Sequence, residues 1–186
     1  MLLNKHSQLE GRHSFLAPSK PHWLKYDDEK LDRVFHTAMA AQRGTELHAF
    51  AANAIKLGIS LPQSTKTLNM YVNDGIGFRL TPEQPLFYSL NCFGTADALG
   101  FRKEVLRISD LKTGVTQSSM VQLEVYAALF CLEYRFRPFD IGMELRIYQN
   151  DEVREHTPDP IDISNIMETI KYQDKRLELL KEEALS

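Results

Sequence analysis

The chain has 186 residues, 43% hydrophobic and 25% charged, the proportions of an ordinary globular domain able to bury a core unaided. Its longest uncharged apolar run, Val125 to Leu132, is far short of the roughly 20 residues that cross a bilayer, which excludes a transmembrane helix and a membrane partner. A net charge of −3 gives no general attraction to nucleic acid, and two cysteines, Cys92 and Cys131, exclude a four-thiolate zinc or iron–sulfur site. One domain over residues 1–186 is expected. With no signal peptide in view, the expectation is a cytoplasmic protein with reduced thiols.

Residues 1–14 read as a flexible N-terminal segment. Ser19, followed by Pro21, Trp23 and Leu24, reads as an N-cap and a short helix. The stretch from about Glu29 to Leu57 is alanine-rich and helical in pattern, in one piece or in two broken near Gly44, with Gly58 as its stop. Thr65 to Asp74 reads as a short helix ended by Asp74–Gly75. Pro82 and Pro85 are expected to bracket a turn. Three strand-like runs follow, Leu86 to Cys92, Phe93 to Phe101 and Val105 to Leu111, the last two joined by a hairpin turn at Gly100 to Glu104. A helix over Ser118 to Arg135, a strand over Ile141 to Tyr148 and a charged final helix from about Ile163 to Leu185 complete the order. The fold class implied is mixed α and β, a central mixed sheet flanked by helices.

The chemistry concentrates at two adjacent strands. On Val105 to Lys112, alternation puts Leu106, Ile108, Asp110 and Lys112 on one face. A carboxylate and an ammonium that end an apolar face need partners, and a metal ion and a phosphate would supply them. Phe93, Thr95, Asp97, Leu99 and Phe101 are expected to share a face of the preceding strand. Antiparallel pairing would then bring Asp97 near Asp110. Two converging carboxylates repel unless a cation lies between them, and hard oxygen donors select Mg²⁺ or Mn²⁺. An Asp-x-Lys triplet alone is also what many solvated strand ends show.

The surrounding residues extend the pattern. Gly94-x-x-Asp97, Asp110-Leu111-Lys112 and Gln122-x-x-x-Tyr126 occur in order, after Gly44-x-x-x-His48 and an opening segment around Phe15 to Leu24. Together they resemble the RecB-like exonuclease branch of the PD-(D/E)XK nuclease superfamily, including phage enzymes related to the CRISPR-associated RecB-like exonucleases. The resemblance implies a restriction-endonuclease-like core. It implies Asp97, Asp110, the Leu111 carbonyl and His48 as metal ligands and Lys112 as the catalytic lysine. Gln122 and Tyr126, on one helical face, would position that lysine or the DNA backbone. The implied cofactor is Mg²⁺ or Mn²⁺. The iron–sulfur cluster common among the CRISPR-associated relatives is not expected here, and no helicase segment accompanies the nuclease motifs.

Other residues are candidates with an equally plain structural reading. Glu83 is a further acidic contributor to the site. Arg43, Arg79, Lys103 and Arg107 are candidate phosphate contacts, each also readable as a surface charge. His6, His13, His22, His36 and His156 are read as ordinary packed or surface histidines. The function implied is metal-dependent DNA exonuclease activity in phage recombination, replication or DNA processing, in the cytoplasm of a bacterial host. A recombinase, an annealing protein or a single-strand-binding protein would be a natural partner, and a homo-oligomer is compatible. A structure-selective or nicking endonuclease and a non-cleaving DNA-binding module remain the alternatives.

Overall fold

A computed structural model describes residues 5–11 and 14–185. The chain divides into two compact units, Met1–Arg43 and Gly44–Ser186. Of the segment expected to be flexible, residues 1–4, 12 and 13 (His13 among them) lie outside the described residues, and Ser7–Leu9 forms one 3₁₀ turn.

In the first unit the expected short helix is a 3₁₀ helix, Pro21–Lys25. Its cap position is Lys20 rather than Ser19, without a side-chain hydrogen bond. Pro21 suits the first turn, where its missing N–H has no partner to lose. Trp23 donates its indole N–H to the Ala17 carbonyl at 3.1 Å, and Phe15 packs edge-on against Phe35.

Helix α1 (Asp28–Leu57) is unbroken. Gly44 does not interrupt it; a Cβ there would stand 2.8 Å from Thr113 Oγ1, so the glycine admits a close approach by the loop after β3. Gly58 ends the helix as expected, at φ 68°, with its N–H bonded to Ile55 and that of Ile59 to Ala54. Helix α2 (Thr67–Gly77) runs past the expected Asp74–Gly75 stop. Gly75 is an interior packing position, because a Cβ would meet Ile55 Cδ1 at 2.7 Å.

The sheet has five strands in chain order: β1 (Thr81–Ser89), β2 (Cys92–Arg102), β3 (Val105–Leu111), β4 (Gly142–Gln149) and β5 (Glu152–His156). All neighbours pair antiparallel except β3 and β4, which are parallel and joined through α3 (Val121–Tyr134). Helix α4 (Pro160–Leu185) follows β5. The structure is therefore a mixed α/β domain with a mixed sheet flanked by helices, as expected. No helix among the described residues is long and apolar enough to cross a membrane.

Two strand expectations are corrected. Pro82 and Pro85 lie within β1 instead of bracketing a turn; β1 is an edge strand, where prolines leave no ladder donor missing. Strand β5 was missed because its sequence, Glu-Val-Arg-Glu-His, has no apolar alternation. It is formed by a two-residue turn at Asn150 and Asp151, both with positive φ.

The core has two sides. Leu106, Ile108, Leu145 and Ile147 face Leu123 and Ala127 of α3 and Ile163 of α4. On the other side Ala98, Leu111 and Tyr148 pack with Ala51 and Ile55 of α1 and Tyr71 and Val72 of α2. Small residues on α1 let it lie close, so α1, α2 and α3 together enclose the end of β3. Leu145 on β4 is 0% exposed. Leu145→Ala should lower unfolding stability by about 2–5 kcal/mol in chemical denaturation, through the cavity it leaves.

Candidate functional site

Strand β3 delivers Asp110 and Lys112 as alternation predicts. Leu106 and Ile108 of the same face are sealed in the core, and Asp110 sits at the end of that row, its side chain only 5% exposed. Lys112 lies just past the strand, with its ammonium 3.0 Å from both Asp110 oxygens. Only Oδ1 is aligned to accept its hydrogen bond; Oδ2 is enclosed and accepts none. The same ammonium donates to Gln122 Oε1 at 3.0 Å. Gln122 therefore holds the lysine from the first turn of α3.

Strand β2 reaches the site by an irregular path. Gly94 faces Tyr126 of α3, where a Cβ would come within 3.1 Å of the ring. Phe101 faces Phe130 of the same helix, although seven positions is an odd number. The strand's faces therefore exchange between them. Phe93 does not share a face with Phe101, as expected from strict alternation, but packs near Phe87 and is largely exposed. The exchange falls at Asp97. Pairing with β3 begins only at Ala98, and the β1–β2 pairs skip Glu83, which has φ 51°, opposite Asp97. Such irregularities re-aim a side chain. Here the Asp97 carboxylate takes over a ladder position, accepting the Leu111 N–H on Oδ2 at 3.0 Å.

His48 of α1 completes this side. Its Nδ1 lies 3.2 Å from Asp97 Oδ2. The hydrogen bond to Asp97 raises its pKa above the ordinary histidine value, against the effect of burial. Asp110 and Glu83 contribute in the same direction by charge, so Glu83 belongs to the site's electrostatic surroundings. The Asp110 pKa is pushed up to about 6, first by burial and then by Asp97, while Lys112 and His48 pull it down. Tyr71, buried beneath the cluster, is raised above the usual tyrosine value by burial and by the same three carboxylates.

Tyr126 shares a face of α3 with Gln122 but does not reach the carboxylates. Its hydroxyl donates to the Thr95 carbonyl at 2.7 Å, which ties β2 to α3 two residues before Asp97. Three of the proposed phosphate contacts do not gather here. Arg43 is an exposed residue of the first unit. Arg79, Lys103 and Arg107 line a cleft at the opposite end of β3, and Arg107 is already paired with Glu144.

The sequence reading also missed a residue that shapes the site's rim. Gln149, 5% exposed at the end of β4, donates to the Gly114 and Thr116 carbonyls and accepts from the Ser118 N–H. It staples the loop that follows Lys112. Nothing in its spacing marked it, because a lone glutamine before an Asn-Asp pair reads as a turn residue.

The donors suit a hard divalent cation in kind: two carboxylates, an imidazole and a backbone carbonyl. The enclosed Asp110 Oδ2 is the observation that favours one: it has the Lys112 ammonium beside it but accepts no hydrogen bond, which leaves a buried carboxylate oxygen under-satisfied. Among the described residues, no three acidic, imidazole or thiol side chains already stand in a metal-holding group. Asp97 is turned to His48 and Leu111, and Asp110 to Lys112. Cation binding would therefore compete with these internal contacts.

The raised Asp110 pKa has a consequence for stability. The folded state holds this proton more tightly than the unfolded chain, whose carboxyl titrates at the ordinary aspartate value of 3.8. The stabilisation is complete below pH 3.8 and is lost as pH rises to about 6. In metal-free buffer above that range, Asp110→Asn should be more stable than the parent chain by roughly 1–3 kcal/mol, and the two should converge below pH 4. Urea denaturation in EDTA across this range checks it.

No family model and no curated protein matches this sequence. Among solved structures, a crystal structure of SSO0001 is similar over 82% of this chain and 69% of that one, with 16% identity and a TM-score of 0.38.

Proposed function

We propose that this chain is a metal-dependent DNA nuclease of the RecB-like PD-(D/E)XK kind, most simply an exonuclease. The observation that carries the reading is the Asp110–Lys112–Gln122 chain set against Asp97, with one buried Asp110 oxygen that touches the ammonium but accepts no hydrogen bond. A structural salt bridge would not need a second carboxylate and an imidazole beside it. The motif resemblance, from Gly44-x-x-x-His48 to Gln122-x-x-x-Tyr126, names the same residues.

In this reading Asp97, Asp110, the Leu111 carbonyl and His48 would hold Mg²⁺ or Mn²⁺. Such an ion, when bound, polarises a phosphate oxygen and makes a coordinated water acidic. Hydrolysis adds the water oxygen to phosphorus and breaks the bond to the 3′ oxygen, leaving a 5′-phosphate. Lys112 has three ammonium protons. Two are directed at Asp110 and Gln122, which fixes the amine and leaves the third for the attacking water or a phosphoryl oxygen. A cation so held meets the negative charge that grows on the phosphoryl group without reorganising. Asp97 anchors the end of β3 through the Leu111 N–H, so the two acidic residues move as one frame. Tyr126 acts at one remove, by fixing the β2 segment that carries Asp97.

Mn²⁺ or Mg²⁺ with end-labelled single-stranded, double-stranded and flapped DNA is the direct test. Cleavage should require the metal. Asp110→Ala and Lys112→Ala should each reduce the rate at least about 10³-fold while the fold persists, the scale lost when preorganised transition-state contacts are removed. Gln122→Ala should be milder, because the lysine keeps Asp110. Closed circular DNA should survive; nicking of it would turn the assignment to an endonuclease. No metal-dependent cleavage of any of these substrates would overturn the nuclease reading.

A further inference from the structure

At the other end of β3, four cations surround one cleft of about 430 Å³: Arg79, Arg102, Lys103 and Arg107. No carboxylate lines it. In a chain of net charge −3, such a concentration is against the average. Like charges drawn together in excess of nearby acids raise the local potential and favour an anion.

The cleft is built rather than incidental. Arg107 forms its floor, fixed by two hydrogen bonds to Glu144 at 2.7 and 3.0 Å and stacked 5.1 Å from the Phe78 ring centroid. Glu144 neutralises much of that one charge. Arg79, Arg102 and Lys103 are different: none has a side-chain hydrogen bond or ion pair with any described residue. All three are exposed. They are brought together by backbone geometry. Gly100 lets the α2–β1 connection lie against β2, since a Cβ there would meet Leu80 Cδ2 at 2.9 Å and the Arg79 carbonyl at 3.6 Å. Lys103 and Glu104 form the β2–β3 turn with φ of 50° and 59°, and Arg79 itself has φ 56°. Residues other than glycine adopt such angles only at a conformational cost.

We propose that this cleft is a phosphate-binding anchor for a nucleic acid strand, distinct from the carboxylate site. It rests on the nuclease reading only for naming nucleic acid as the source of the phosphates. Val105, at the cleft, is five residues from Asp110, so roughly 17 Å of mostly buried β3 separates the two sites, and a strand joining them must run over the elements that cover it. The separation corresponds to about five stacked nucleotides at ~3.4 Å each. The three unpaired cations come from two separate segments around an open space larger than one phosphate, which suits successive phosphates on one strand. A strand held there would leave the carboxylate site free to meet its end, so short substrates would lose the anchor and long ones would use it.

The test is fluorescence anisotropy of the full chain with labelled single-stranded DNA of 4 and 20 nucleotides, in EDTA so that no cleavage occurs. The triple variant Arg79→Ser, Arg102→Ser, Lys103→Ser should bind the longer strand at least about tenfold more weakly. Its slope of log affinity against log salt should fall by about 2, three contacts at ~0.7 each. The short strand, which has only the cleft to hold it when metal is absent, should weaken by a similar factor. The triple Arg79→Lys, Arg102→Lys, Lys103→Arg, which keeps the charge, should bind as the parent does, separating loss of charge from loss of fold. Unchanged affinity and slope in the serine variant would overturn the proposal, as would failure of the parent chain to bind the longer strand. Two competitors test the source of the anion. If pyrophosphate stabilises the parent but not the serine variant in thermal unfolding, while both bind DNA alike, the cleft is a small-anion site and the proposal fails. If a poly-glutamate peptide of equal charge displaces the longer strand more readily than unlabelled DNA does, an acidic protein is the better occupant and it fails too. Because binding is read without metal, a parent chain that cuts DNA but shows no anchor effect separates this failure from failure of the nuclease reading.

Discussion

A carboxylate buried at the end of an apolar strand face is the constraint on which this site depends. Asp110 continues the row of Leu106 and Ile108, yet it keeps one oxygen that nothing hydrogen-bonds. Burial and the neighbouring Asp97 both resist its ionisation, and Lys112 alone does not cancel them. The fold thus holds a group in a form that would be relieved by added positive charge. Proteins retain such local cost where it serves a function, and ligand-binding positions are where it concentrates.

The rest of the second unit can be understood as support for that arrangement. The β1–β2 irregularity at Glu83 aims Asp97 across at the Leu111 amide instead of continuing a regular ladder. Helix α3 contributes two residues one turn apart with different tasks. Gln122 fixes the lysine, and Tyr126 fixes the strand that carries Asp97. Gly44 lets the loop after β3 approach α1, one turn before His48. Gln149 then closes that loop from β4. Each contact is modest alone, on the order of 1 kcal/mol. Their joint effect is to limit how far the two aspartates and the lysine can move relative to one another.

Much of this was legible in the residues and some was not. The β3 face was readable because alternation with period two is strict there, and burial of Leu106, Ile108 and Asp110 follows it. Gly44, Gln122 and Tyr126 were marked by their four-residue spacings, although spacing could not say that Tyr126 would bond to a backbone carbonyl rather than enter the site. The helix stop expected at Gly75 failed, and the break left open at Gly44 did not occur, for one shared reason: both glycines are there for tertiary contact, with Ile55 and Thr113, and not for a turn. Strand β2 was misread because a local exchange of faces has no signature in hydrophobic pattern; it depends on the left-handed Glu83 across the ladder. Strand β5 was invisible for a similar reason, and of the basic cleft Arg79, Lys103 and Arg107 were marked as separate phosphate contacts but not as one site. The first depends on a two-residue turn and the second on which loops meet, and neither is recorded in composition.

If the account is right, Asp110 and His48 await a cation that displaces protons. Calorimetric titration of Mn²⁺ into the full chain, repeated at pH 6 in two buffers of different ionisation enthalpy, tests this most directly. The account predicts saturable binding with net proton release, because Asp110 and His48 both hold protons more tightly than their ordinary values. Binding should be lost in Asp97→Ala and in Asp110→Ala. Absence of binding, or binding that both variants retain unchanged, would contradict it.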